Sequence, residues 1–243
     1  MPSLVVLPEA SSTNTELARM ASAGGVRAFT TVVTDHQTAG RGRLDRSWTA
    51  PAGTSLAISV LVPSVGAGRA GWLPLAAGLA MAEAVSALLP ERPVGVKWPN
   101  DVLVGDRKVS GVLAELLPSG EVVLGAGLNV GMTAEELPVA TATSLAIEGP
   151  DGAADADAAL ATYLLRLRHW VQGYLDAGGD ARASGLHAAL TSRCTTLGRS
   201  VRVELPQGSL EGTATGIAPD GRLEVASQGR LVAVAAGDVV HVR

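Results

Sequence analysis

The chain has 243 residues, enough for one sizeable domain and a smaller one at ~150 residues per domain. Hydrophobic residues make up 47% and charged residues 17%, a globular balance. The net charge of -4 argues against a general nucleic-acid binder, which carries a strongly basic surface. One cysteine, Cys194, excludes an internal disulfide, and four scattered histidines give no zinc-ligand spacing.

Residues 4–7 read as a short strand. Ser11-Ser12-Thr13-Asn14-Thr15-Glu16 reads as a helix start, with Thr13 and Glu16 at capping-box spacing and Leu17, Met20 and Ala21 on one face. Residues 30–34 are β-branched and strand-like, 37–48 form a polar glycine-rich loop, 54–62 a strand, and 70–89 a long Ala/Leu helix. Short strands at 94–97 and 102–104 flank Trp98-Pro99-Asn100-Asp101. Gly105-Asp106 suits a tight turn, and strands at 109–117 and 121–128 follow. These hairpins predict a mixed, mostly antiparallel sheet.

From 155 to 175 the period becomes helical, with Leu160, Leu164, Leu167 and Val171 on one face, and a second helix is expected over 181–190. After Thr195 short strands at 201–203, 210–217, 223–226 and 231–235 predict a small β-barrel. The division is 1–192 and 193–243. No basic leader followed by an apolar run opens the chain, and no apolar window reaches ~20 residues. A cytoplasmic protein with no membrane partner is expected.

Three segments carry chemistry. In Gly40-Arg41-Gly42-Arg43-Leu44-Asp45-Arg46-Ser47-Trp48, glycines admit close approach to backbone N–H groups and the guanidinium forks match phosphate geometry. Taken alone the pattern is equally a solvated basic turn, and it is neither a Walker A motif nor a dinucleotide fingerprint. The second segment is Lys97-Trp98-Pro99-Asn100-Asp101 followed by Arg107-Lys108-Val109-Ser110-Gly111. Seventeen of the nineteen basic residues are arginine, and both lysines, Lys97 and Lys108, fall here. Lysine is a compact point charge that a planar guanidinium does not replace at a crowded oxyanion, which marks Lys108 as functional. Lys97 fits a functional role or a structural ion pair. The third segment, Gly125-Ala126-Gly127-Leu128-Asn129-Val130-Gly131, combines small residues for close ligand approach with the donor and acceptor of Asn129; a bulge and turn would use the same residues.

The order and spacing of Ser12-Thr13-Asn14, His36-Gln37-Thr38-Ala39, the Gly-Arg loop, Lys97 to Asp101, Arg107-Lys108 with Gly111, and Gly125 to Asn129 resemble those of biotin–protein ligases. The resemblance covers most of 9–131, and the C-terminal strands resemble that family's SH3-like domain. It implies an α+β fold of class II synthetase type, a mixed mostly antiparallel sheet flanked by helices with a small SH3-like β-barrel. It implies ATP, Mg2+ and biotin as reactants, biotinyl-5′-AMP as intermediate, and the biotin carboxyl carrier protein of acyl-CoA carboxylase as acceptor. No dedicated protein ligands for metal are expected.

By the same resemblance, Lys108, Arg43 and Asp101 are catalytic. Lys108 bridges biotin carboxylate and α-phosphate, and Asp101 orients the incoming lysine or accepts its proton. Ser12, Thr13, Asn14, Gln37, Gly40, Arg41, Arg43, Trp48, Lys108, Gly111 and Gly127 bind biotin, and Arg43, Arg46, Trp48, Asn100, Lys108 and Asn129 the adenylate. The loop 40–48 covers the intermediate. Asp45 departs from the family's usual glycine, adding a carboxylate able to pair with Arg43 or Arg46. Cys194 lies outside the motifs and is no nucleophile. A lipoate–protein ligase shares the fold and adenylate logic. A biotin-sensing repressor is disfavoured because the first motif begins by Ser12, so no DNA partner is expected, and a nucleic-acid module is disfavoured by the acidic pI. A homodimer through a sheet edge stays open.

Overall fold

The computed structural model describes residues 3–44, 46–66, 68–150, 154–205, 208–235 and 237–242. Seven strands form the main sheet: β1 (Leu4–Val6), β2 (Thr31–Thr34), β5 (Ser55–Val62), β6 (Val94–Lys97), β7 (Asp101–Val104), β8 (Arg107–Leu116) and β9 (Val122–Asn129). Their order is β1-β2-β5-β9-β8-β7-β6, parallel between β1 and β2 and antiparallel elsewhere. The mixed, mostly antiparallel sheet expected from the hairpin signals and the α+β class implied by the resemblance are both observed.

One face of the sheet is covered by α2 (Trp72–Leu88), whose buried positions run around its whole circumference. An all-round apolar helix must be enclosed; α2 lies between the sheet and α4 (Ala156–Asp176). Asp155 caps α4 through Ala158 N at 2.8 Å. The fully buried face of α4 is Tyr163, Leu167, Val171 and Tyr174. Leu160 and Leu164, expected in that stripe, are only partly buried at its flank. The aromatic pair turns the helix because two large rings bury more apolar area than two leucines.

The opposite face carries α1 (Thr13–Ala23) over a satellite cluster of Leu17, Val32, Leu61 and Val123. Its cap is Ser12, whose side chain accepts from Thr15 N, so the Thr13–Glu16 box is corrected. With Ser12 at the cap, Glu16 lies one residue too far along to reach back, and it pairs with Arg19 instead.

The C-terminal strands β10 (Ser200–Leu205), β11 (Gly208–Ile217), β12 (Leu223–Ser227), β13 (Arg230–Val234) and β14 (Asp238–His241) form an antiparallel sheet ordered β13-β12-β11-β10-β14. The expected barrel is not closed: β13 and β14 stand at opposite edges, with no pairing between them among the described residues. A register shift between Ala214 and Gly216 bends β11, which curls the sheet without closing it. The turn after β11 docks on the main domain, where Trp72 Nε1 donates to Pro219 O (2.8 Å) and Trp98 Nε1 to Gly221 O (3.0 Å).

Other boundaries differ from the sequence reading. Helix α5 (Leu186–Arg193) starts late because Asp180 accepts from Arg182 N and Ala183 N, fixing a turn, and Gly185 is left-handed (φ 78°). Three elements were not expected: β3 (Gly40–Arg41) and β4 (Ser47–Trp48), which pair antiparallel inside the supposed loop, and the short α3 (Leu145–Glu148). Strand β14 adds a fifth strand to the expected C-terminal four. No helix of the described residues is long and apolar enough to cross a membrane.

Candidate active site

The site lies on the α1 face of the sheet and is built by strand alternation. Residues two apart share a face, so Ala57, Ser59 and Leu61 of β5 point the same way. The register sets Ser59 opposite Gly125 and Ala57 opposite Gly127 on β9, and those opposite Leu113 and Gly111 on β8. At one end this face is packed by Leu17. In the middle, a β-carbon at Gly125 would overlap Asn14 Oδ1, and at the far end one at Gly127 would overlap the Trp48 indole. The two glycines therefore make room for a polar side chain and for a ring.

The polar end is wired in advance. Thr13 N donates to Gln37 Oε1 at 3.0 Å; Ser59 Oγ donates to Asn14 Oδ1 at 2.6 Å and stands 2.8 Å from Thr13 Oγ1. Asn14 Nδ2 donates to Glu115 Oε2 at 2.7 Å, and Arg41 Nη2 pairs with the same carboxylate at 3.0 Å. Ser12, Thr13, Asn14 and Ser59 are all buried. Gly40 lies behind this end, where a β-carbon would overlap Gln37 Nε2 and Trp48 O.

The other end is charged and partly exposed. Lys108 Nζ lies 2.7 Å from Asp101 Oδ1 and 5.9 Å from the Trp48 ring centroid, and its side chain passes over Gly111. Asn100 accepts from Arg43 Nη1 at 2.9 Å and donates to Val112 O at 3.1 Å, holding the arginine over the opening. The hairpin β3–β4 carries these arginines, and its tip residue Leu44 is exposed with φ +54°, a conformation rare for a side-chain-bearing residue. Asp45, whose pairing was anticipated, lies outside the described residues.

A cavity of about 120 Å³ joins the two ends. Ser12, Thr13, Asn14 and Gln37 line one part, Arg41, Arg43, Arg46 and Trp48 the cover, and Asn100, Asp101, Lys108, Gly111 and Gly127 the rest. Asn129 lies instead in an adjoining crevice of about 760 Å³, which Arg46, Trp48, Asp101 and Lys108 also line. Asn129 Nδ2 is committed to Thr143 O at 2.8 Å. Trp48 Nε1, at the junction of the two spaces, is buried with no partner among the described residues, an unsatisfied donor of the kind that calls for a ligand or water.

Lys97 makes no ion pair among the described residues and lines the same crevice, opposite β14. Burial, then the charges of Lys97 and Arg199, push the His241 imidazole down to about 4. Cys194 lines neither the cavity nor the crevice, and burial pushes its thiol up, away from a nucleophilic thiolate. No cluster of three or more metal-ligating side chains occurs among the described residues.

Ser59 and Glu115 escaped the sequence reading. Their signal is the alternation itself: Gly111-x-Leu113-x-Glu115 and Ala57-x-Ser59 become site positions once the strands are set in register against Gly125-x-Gly127.

A buried neutral hydrogen-bonding end, an apolar waist and a cationic mouth define a ligase cleft for a small carboxylic acid and a nucleotide. The chain belongs to the biotin/lipoate A/B protein ligase family, whose model matches residues 6–132; the model described as biotin protein ligase C terminal domain matches 196–242. It is 40% identical over 247 residues to the biotin--[acetyl-CoA-carboxylase] ligase of Mycobacterium tuberculosis, spanning 99% of this chain and 89% of that one. The ligase of the same name from Paracoccus denitrificans is 32% identical, over 90% of this chain and 92% of that one. Among solved structures, the biotin protein ligase of Aquifex aeolicus in complex with biotin and ATP superposes with TM-score 0.83 and 29% identity over the whole of both chains.

Proposed function

We propose that the chain is an ATP-dependent biotin–protein ligase acting in the cytoplasm on the biotin carboxyl carrier protein of acyl-CoA carboxylase. Residues 1–192 form its catalytic domain and 193–243 its C-terminal domain. The observation that carries the reading is one cavity joining the buried neutral network of Thr13, Asn14, Gln37 and Ser59 to Lys108 and Arg43. Biotin has that polarity: a neutral ureido end, an apolar bicycle and a carboxylate.

In the first step a carboxylate oxygen of biotin attacks the α-phosphorus of ATP, the bond to the bridging oxygen breaks, and pyrophosphate leaves. Two anions must approach, so positive charge placed beforehand lowers the barrier. Lys108 supplies it between carboxylate and α-phosphate after leaving Asp101. Arg43 and Arg46 hold the phosphate side, and Asn100 positions Arg43. Asn129 and Trp48 take the nucleoside in the adjoining crevice. Mg2+ brought with ATP would be held mainly by phosphate oxygens and water, and would supply further positive charge to the phosphates. Ser12, Thr13, Asn14, Gln37 and Arg41 address the ureido end, with Gly40, Gly111 and Gly127 giving clearance.

In the second step the neutral amine of the acceptor lysine attacks the acyl carbon and AMP leaves. That amine is mostly protonated at neutral pH (ordinary value ~10.4), and Asp101 is the carboxylate placed to take its proton. The hairpin 40–48 excludes water from the anhydride meanwhile. The open edge at β1, with Leu4 and Val6 exposed, is the surface this reading offers to a homodimer.

A lipoate ligase is the rival, and the neutral polar network weighs against it because a dithiolane ring uses none of those donors. The test is ATP–pyrophosphate exchange by the purified protein with Mg2+ and biotin, lipoate or no acid. Biotin-dependent exchange is expected; exchange with lipoate alone moves the chain to the sister activity, and none with either removes the reading.

A further inference from the structure

We propose that Glu148 is a positioning residue for adenylation, fixing the backbone on which Lys108 and Asn129 are mounted; this rests on the role read for Lys108 above. The Glu148 side chain is 4% exposed. A carboxylate that deep is costly unless charge and hydrogen bonds satisfy it, and here three groups converge on it. Arg107 Nη2 pairs with Oε1, Thr143 Oγ1 donates to Oε1 at 2.8 Å, and Arg92 Nε lies 3.7 Å from Oε2 while donating to Glu148 O at 3.1 Å.

Two of those partners adjoin the site directly. Arg107 precedes Lys108 in β8. Thr143 belongs to the segment that takes both backbone groups of Lys108: Lys108 N donates to Thr141 O and Thr143 N to Lys108 O, each at 2.8 Å. The carbonyl of Thr143 also receives Asn129 Nδ2. The β7–β8 ladder does not fix this place alone, since Val102 faces Ser110 but Leu103 faces Lys108, leaving Val109 in a bulge. A bulge lets the strand re-aim a side chain, and the Arg107–Glu148–Thr143 clamp selects one setting. Lys108 then reaches the cavity and Asn129 the crevice.

The test uses the full chain with Glu148→Gln and Glu148→Ala. Competent sites are counted by the single-turnover burst of biotinyl-adenylate, and exchange is expressed per competent site. Because small misplacements of a reacting group are expensive, kcat per site is expected to fall at least about tenfold in the alanine variant and less in the glutamine one. The KM for biotin should stay within about twofold, because the ureido network is untouched. Arg107→Ala should reproduce the loss, and the double variant should be little worse than either single one. Glu83→Ala, which removes the acceptor of Trp170 Nε1 and the carboxylate facing Arg166 between α2 and α4, is the structural control: it lowers Tm and leaves kcat per site unchanged. A lowered Tm with kcat per site near wild type in both Glu148 variants overturns the proposal. Failure of the wild type to exchange with biotin defeats the parent reading instead. The clamp is then read by hydrogen exchange at the Lys108 and Thr143 amides: faster exchange in Glu148→Ala supports it, and unchanged protection overturns it.

Discussion

The two ends of the cavity solve recognition differently. At the polar end, Thr13 and Asn14 are buried and joined through Ser59, with Gln37 and Glu115 holding them from outside and Ser12 buried beside them as the cap of α1. At the cationic end, Lys108 and Arg43 are held by Asp101 and Asn100 in partly exposed positions. A neutral ligand group is best met by donors and acceptors already oriented, because a buried unsatisfied polar atom costs about 1–3 kcal/mol. A reacting anion needs charges that change partner: in the proposed mechanism Lys108, paired with Asp101 here, would give it up for a carboxylate and a phosphate. The polar end should therefore govern KM for biotin, and the cationic end kcat and the lifetime of the intermediate.

The largest effect should follow Lys108→Ala. Loss of one preorganised charge costs about 3–4 kcal/mol in the transition state, roughly 10²–10³-fold in biotin-dependent exchange. Stability should change little, since the ion pair with Asp101 is partly exposed. Exchange at the wild-type rate would remove Lys108 from the chemistry. Arg43→Ala comes next. Without its guanidinium on Asn100 the hairpin closes less tightly, and adenylate should escape or hydrolyse about tenfold faster. A pre-formed biotinyl-adenylate chase measures this, and an unchanged lifetime would assign cover to other residues.

The same contrast explains what could be read in the sequence. Residues that announced themselves have rare chemistry for this chain: two lysines among arginines, and a Gly-Arg loop. Of the residues expected to bind biotin or the adenylate or to be catalytic, all but Gly40 and Asn129 line the one cavity, while Lys97 lines the adjoining crevice. Gly40 backs it, and Asn129 stands next door with its amide committed to a backbone carbonyl. Ser59 and Glu115 were illegible because an alternating strand with a single polar residue has no unique reading until its neighbours fix the register. The long elements were legible by periodicity, and the burial of α2 by composition. The hairpin β3–β4 was not, since two-residue strands leave no pattern. The open edge between β13 and β14 depends on how far a bulged sheet curls, which strand spacing does not encode.

An effect of similar size to that of Arg43→Ala tests the polar end without touching a hydrogen-bonding residue. In Gly125→Ala the new methyl would overlap Asn14 Oδ1, so Asn14 must swing away from Ser59 and Glu115. Losing that network should raise KM for biotin about tenfold while kcat at saturation holds. A variant that lost kcat and kept KM would reverse the division between the ends.

The smallest effect concerns the far wall of the crevice, where Lys97 of the main sheet meets His241 of the C-terminal one. The imidazole is pushed from 6.5 to about 4, first by burial and then by the Lys97 and Arg199 charges. A histidine depressed in the fold is neutral there while the unfolded chain takes up a proton. Its contribution to stability is thus whole above about pH 6.5 and is lost as pH falls toward 4. An NMR titration should place His241 near 4, and urea unfolding should show stability declining through that window. Lys97→Met removes one of the two like charges and should raise the His241 midpoint, by only part of the shift because burial remains. A midpoint that Lys97→Met leaves in place would mean that the lysine and β14 do not face each other across the crevice.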